Sequence, residues 1–96
     1  MVVALVLINV ERGKIDAVAE GLLKLSGITE VFSVAGQYDM VAILRTSDNE
    51  GIADLMTHHV RDIPHITRTE TLMAFKAYSP DDLGAMFSIG NEEVRK

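Results

Sequence analysis

A two-layer α+β sandwich with the element order βαββαβ is what this 96-residue sequence predicts, on three observations. Residues 11–25 and 47–63 carry apolar side chains at helical spacing. Four other stretches read as strands, the first of them apolar almost throughout. No Pro/Gly-rich linker or low-complexity tract divides the chain before the polar tail at residues 91–96, so the elements share one core.

Residues 2–10 hold Val, Leu and Ile with almost no polar interruption, the pattern of a strand covered on both faces and central in its sheet. From Glu11 to Leu25, Ile15, Val18, Ala19, Leu22 and Leu23 recur at helical spacing, and Ser26-Gly27 closes the helix where Gly commonly caps. Residues 28–35 alternate as a strand and enter a turn at Gly36, after which residues 40–44 form a second apolar run ending at Arg45. Ser47 with Glu50 matches a capping box, and Ile52, Leu55, Met56, His59 and Ile63 trace the stripe of a second helix that Pro64 ends. Residues 66–77 read as a long last strand with Thr67, Thr69 and Thr71 on one face. Ser79-Pro80-Asp81-Asp82 then opens a short C-terminal helix through about Phe87. A ferredoxin-like domain over residues 1–78, followed by a helix and tail over 79–96, is the economical solution.

Such a fold sets both helices on one face of an antiparallel sheet and leaves the other bare. Here the strands are apolar on both faces, and the hydrophobic fraction of 48% exceeds what so small a domain can hide. The expected cover is a second copy of the chain, in the manner of a dimeric α/β barrel.

Nine basic against fourteen acidic residues give a net charge of -5, and no Lys/Arg cluster stands ready to neutralise adjacent phosphates. Direct nucleic-acid binding is not expected. The chain has no cysteine, which removes disulfides, thiolate metal sites and Cys nucleophiles and fits a reducing cytoplasm. The apolar N-terminus lacks a basic flank and is far below spanning length, so it reads as a strand rather than a membrane anchor.

Candidate chemistry concentrates at the Gly36 turn, where Tyr38 and Asp39 place a phenol beside a carboxylate. These residues read either as a turn with a satisfied Asp or as a rim for a small polar ligand. The three alternating Thr read either as strand formers or as a hydroxyl row. Asp54, His58 and Asp62 fall on one face of an ideal helix, an arrangement of a solvated face more than of a metal site. His58 and His59, about 100° apart on such a helix, cannot act as an i, i+4 pair. His65 reads as a loop residue and the five methionines as core filler. No nucleophile triad, Walker loop or GxGxxG is recognisable, and no cofactor or metal is expected.

Residues 34–41, of the form V-x-G-x-Y-D-h-V with h apolar, combined with Arg68-Thr69-Glu70-Thr71, resemble the RAM domain. That domain is the amino-acid-sensing half of the Lrp/AsnC (feast/famine) transcription regulators. The likeness covers residues 2–78 and begins at the first RAM strand, with no helix-turn-helix before it, as in stand-alone RAM proteins. It implies a sheet-to-sheet dimer, rings of eight or ten subunits, and an amino-acid effector between dimers. On matching positions, Gly36 would bring backbone N–H groups near the ligand and Tyr38 would line the pocket. Asp39 would suit an α-ammonium, Gln37 would tune side-chain preference, and Thr69 and Thr71 would give hydroxyl hydrogen bonds.

Two other readings stay open at this point. One is a small dimeric α/β-barrel enzyme, monooxygenase- or isomerase-like, for which His59 is the only imidazole placed toward the core. The other is a structural partner that forms mixed oligomers with full-length Lrp/AsnC regulators without binding a ligand.

Overall fold

Val2–Val10 forms the first strand, β1, and it is central: the computed structural model, which describes residues 1–80, orders a four-stranded antiparallel sheet β2-β3-β1-β4. The other strands are β2 (Ile28–Ser33), β3 (Met40–Thr46) and β4 (Ile66–Met73). Helix α1 (Ile15–Leu23) and the short helix α2 (Asn49–Asp54) complete the ferredoxin-like arrangement. Period-two alternation sorts β1, sending Ala4, Val6 and Ile8 into the core beside Met40, Ala42 and Leu44 of β3. Val18 and Leu22 of α1, with Ile52, Leu55 and Val60 from the second helical segment, close that core.

The element ends depart from expectation for local reasons. Helix α1 starts at Ile15, because Gly13 is held at φ 77°, outside helical geometry, while the chain turns off β1. Strand β4 stops at Met73, paired with Ala4, instead of reaching Ala77; the Ala74 amide still reaches the Val3 carbonyl at 3.0 Å, and β1, which begins at Val2, offers no ladder partner to Lys76 and Ala77. Of the methionines, Met40 is core, Met56 is half-buried, and Met1 and Met73 are exposed. The expected C-terminal helix lies outside the described residues apart from Ser79 and Pro80 at its start.

The second helix differs most. Its N-cap is Asp48, whose Oδ1 accepts the Gly51 amide at 2.9 Å, one residue beyond the Ser47 of the expected capping box. Gly51 is required by proximity, since a Cβ there would lie 2.7 Å from the Thr46 Cβ. After Asp54 the helix widens into a π turn, Leu55–His59, and then tightens into a 3-10 turn, Val60–Asp62. The Val60 amide bonds to the Leu55 carbonyl, a five-residue step. That extra residue rotates everything after it, so Val60 is buried while His59 faces solvent. The imidazole expected toward the core is therefore outside it.

This register predicts unequal costs for neighbouring residues. Val60→Ala is expected to destabilise the fold by about 1.5–3 kcal/mol, whereas His59→Ala stays within about 0.5 kcal/mol. Urea unfolding at fixed protein concentration measures both; equal losses would contradict the π turn.

Candidate functional site: the open sheet face and the Gly36–Asp39 turn

Strand pairing fixes which residues share the sheet face that the helices leave open. Opposed residues point the same way, so Leu7 of β1 stands in one row with Val41, Phe32 and Glu70. Leu5 stands in the next row with Ile43, Glu30 and Leu72. Val3, Leu5, Leu7, Val41 and Ile43 are only half-buried, and Phe32 and Leu72 are 47% and 44% exposed. The result is a continuous apolar patch.

Its charged groups sit at two opposite corners. At one, the Arg45 guanidinium lies 3.9 Å from Glu30 across β2 and β3. At the other, Asn9 pairs with Arg68, whose guanidinium lies 5.6 Å from the Tyr38 ring centre, and the Tyr38 hydroxyl donates to Glu70 Oε1. That hydrogen bond, with desolvation and the carboxylate's charge adding to it, raises the Tyr38 phenol above its usual 10, while Arg68 pulls the other way.

The turn that carries Tyr38 is built by backbone bonds. Gly36 adopts φ 128°, and a Cβ there would touch nothing within 4 Å, so the demand for glycine is conformational. The Val34 amide donates to the Asp39 carbonyl and the Asp39 amide to the Ile8 carbonyl, both at 2.9 Å. Asp39 Oδ2 accepts the Val10 amide at 2.9 Å, which ties the turn to the end of β1. Gln37 is exposed at the tip.

Of the six residues singled out in the sequence, Gly36, Gln37, Tyr38 and Asp39 lie together in this turn. Thr69 and Thr71 do not join Tyr38 on its face. They oppose Ile8 and Val6, on the helix side of β4, where Thr67 and Thr69 line a depression of about 410 Å³ with Met56, Thr57, Val60 and Arg61. Sequence reasoning favours the Thr of Arg68-Thr69-Glu70-Thr71 and passes over the other two. Strand parity holds the signal, because residues flanking each Thr must face Tyr38's side if the Thr do not.

The π turn also corrects the histidine geometry. His58 Nε2 lies 3.9 Å and His59 Nε2 3.6 Å from the two oxygens of Asp54, so both neighbours reach one carboxylate, which a regular helix would forbid. Asp62 is not part of this group. Among the described residues no cluster of three His, Cys, Asp or Glu side chains is arranged to hold a metal ion. No helix among them is long and apolar enough to cross a membrane.

Residues 3–83 match the Lrp/AsnC ligand binding domain family. The chain belongs to that family. It is 39% identical to the solved structure of TTHA0845 from Thermus thermophilus, covering 82% of this chain and 99% of that one with a TM-score of 0.77. The HTH-type transcriptional regulator FL11 of Pyrococcus horikoshii is 33% identical over 75 residues, 78% of this chain and 49% of that protein. The chain thus spans about half the length of the curated relatives it matches. The feast or famine regulatory protein from M. tuberculosis, solved with L-methionine, shares the fold at a TM-score of 0.70 and 21% identity over 84% of this chain and 54% of that one.

The corner cluster in this Lrp/AsnC domain is directly measurable. In a Tyr78→Phe background Tyr38 is the only phenol, and its absorbance titration is expected above pH 10, with Glu70→Ala lowering the midpoint and Arg68→Ala raising it. Because the folded value exceeds the unfolded one, the contact stabilises below about pH 10 and is lost as pH rises through the folded midpoint. A midpoint that Glu70→Ala leaves unchanged would show that the hydrogen bond is not made.

Proposed function

We propose that this domain is a non-catalytic, cytoplasmic amino-acid sensor whose copies pair through the open sheet face and bind their effector between dimers. The family match over residues 3–83 carries the reading, and the relatives named as transcriptional regulators support its regulatory sense. The M. tuberculosis relative solved with L-methionine supports an amino acid as the effector class. With His59 in solvent, the enzyme alternative loses the imidazole it relied on.

The geometry favours a site shared between subunits. Tyr38 and the hydroxyls of Thr69 and Thr71 lie on opposite faces of one sheet, so a small ligand touching both kinds of group takes them from different copies. Asp39 already spends Oδ2 on the Val10 amide, which leaves Oδ1 for an α-ammonium while the backbone bond holds the carboxylate in place. Exposed N–H groups about Gly36 and the Thr hydroxyls would serve the effector's carboxylate, and Gln37 its side chain. Dimers would assemble further into rings of eight or ten, and mixed assembly with full-length Lrp/AsnC regulators would carry the signal to DNA.

A ligand bridging dimers shifts assembly only by its differential affinity for the two states, typically about 1–3 kcal/mol, or roughly 5–150-fold. Sedimentation velocity with a panel of amino acids is expected to show at least one that shifts the distribution of oligomers, and Tyr38→Ala to abolish that shift with the fold intact. A well-folded sample that binds none of the panel would overturn the sensor reading.

A further inference from the structure

The last described residues leave the sheet with little of their own subunit beneath them. Beyond the Ala74 bond to Val3 the chain passes the start of β1. Phe75 is 104% exposed and Tyr78 61%, the latter with the Lys76 ammonium 5.0 Å from its ring centre. Together with Leu72 and Met73 on the end of β4, these residues hold an apolar stretch out in solvent, continuous with the open face at Leu72.

Area gives this stretch a role. Four strands about 4.8 Å apart and about seven residues long, at about 3.3 Å per residue, offer a face of about 450 Å². Two such faces pressed together cover about 900 Å², short of the roughly 1,200–2,000 Å² of a stable specific interface. A buried aromatic side chain adds about 150–250 Å², so Phe75 and Tyr78 from both copies bring the pair into that range.

We propose that residues 74–78 form a strap that lies on the sheet face of a second copy of this chain, with Phe75 as its buried anchor. The proposal rests on the sheet-to-sheet dimer above and goes beyond it, since sheets could pair with their straps left in solvent. In a two-fold pair the exchange is reciprocal, each copy giving one strap and receiving one. An aromatic anchor held clear of its own subunit then sets how tightly the pair holds.

Sedimentation equilibrium of the full chain tests this with wild type, Phe75→Ser and Leu5→Asp, each checked for folding by circular dichroism. Phe75 is fully exposed in its own subunit, so Phe75→Ser is expected to fold and to dissociate at least roughly 100-fold more readily. A Phe75→Ser dimer as tight as wild type, with Leu5→Asp monomeric, overturns the strap and leaves the sheet pairing standing. A wild-type monomer at micromolar concentration overturns both. The chain has no cysteine, so Phe75→Cys adds an independent reading: its alkylation is expected to be at least tenfold slower than in the Leu5→Asp background, and equal rates overturn the strap.

Discussion

A strand that is apolar on both faces and covered on one is the constraint from which the rest of this structure follows. The even-numbered residues of β1, Ala4, Val6 and Ile8, are fully buried under the helices. The odd-numbered Val3, Leu5 and Leu7 carry side chains just as apolar and have no helix above them. At about 25 cal/mol per Å², leaving that face wet forfeits a large part of the strand's burial energy. A chain of this size has no spare element among the described residues to lay over it, because both helices are already committed to the core side.

The same alternation explains which parts of the fold are legible in the sequence. The central place of β1 follows from residues 2–10 alone, because an uninterrupted Val/Leu/Ile run fits only a strand with neighbours on each side. The second helix is legible in position but not in phase. Its stripe through His59 assumes 3.6 residues per turn, and the π turn at Leu55–His59 inserts one residue, so Val60 takes the core position. Nothing local announces such a turn: Leu55, Met56, Thr57, His58 and His59 are ordinary helix residues, and the shift serves a tertiary end by bringing an aliphatic side chain, in place of an imidazole, against the core. Strand ends are hidden for a related reason, since β1 begins at Val2 and leaves the last residues of the expected β4 without a ladder partner, and a strand's own sequence does not record its partner's length.

The candidate site is half legible. Gly36 and Asp39 are marked by turn chemistry, and the structure gives both a backbone reason, a positive φ and a bond to the Val10 amide. Tyr38 stands out as an aromatic in a polar turn, but its partners Arg68 and Glu70 lie 30 and 32 residues on and meet it only because β4 docks beside β1. Parity alone separates them from Thr69 and Thr71, and parity becomes decisive only once the open face is known.

The charged corners of that face bear on how sensing and assembly are linked. Arg45 pairs with Glu30, and Tyr38 stands between Arg68, which lies over its ring, and Glu70, which accepts its hydroxyl, so each corner holds charges of both signs within one subunit. In the proposed pair of such faces the apolar centre would set the strength of the contact, and the mixed charges at the corners its registration. Tyr38 belongs to both regions, since its ring and hydroxyl complete one corner while its backbone lies in the Gly36–Asp39 turn. A ligand that moves this turn shifts the Tyr38–Glu70 bond, and with it a corner of the sheet contact. In the proposed sensor, the effector site and the pairing surface are thus joined through one side chain, and no long relay is needed between them.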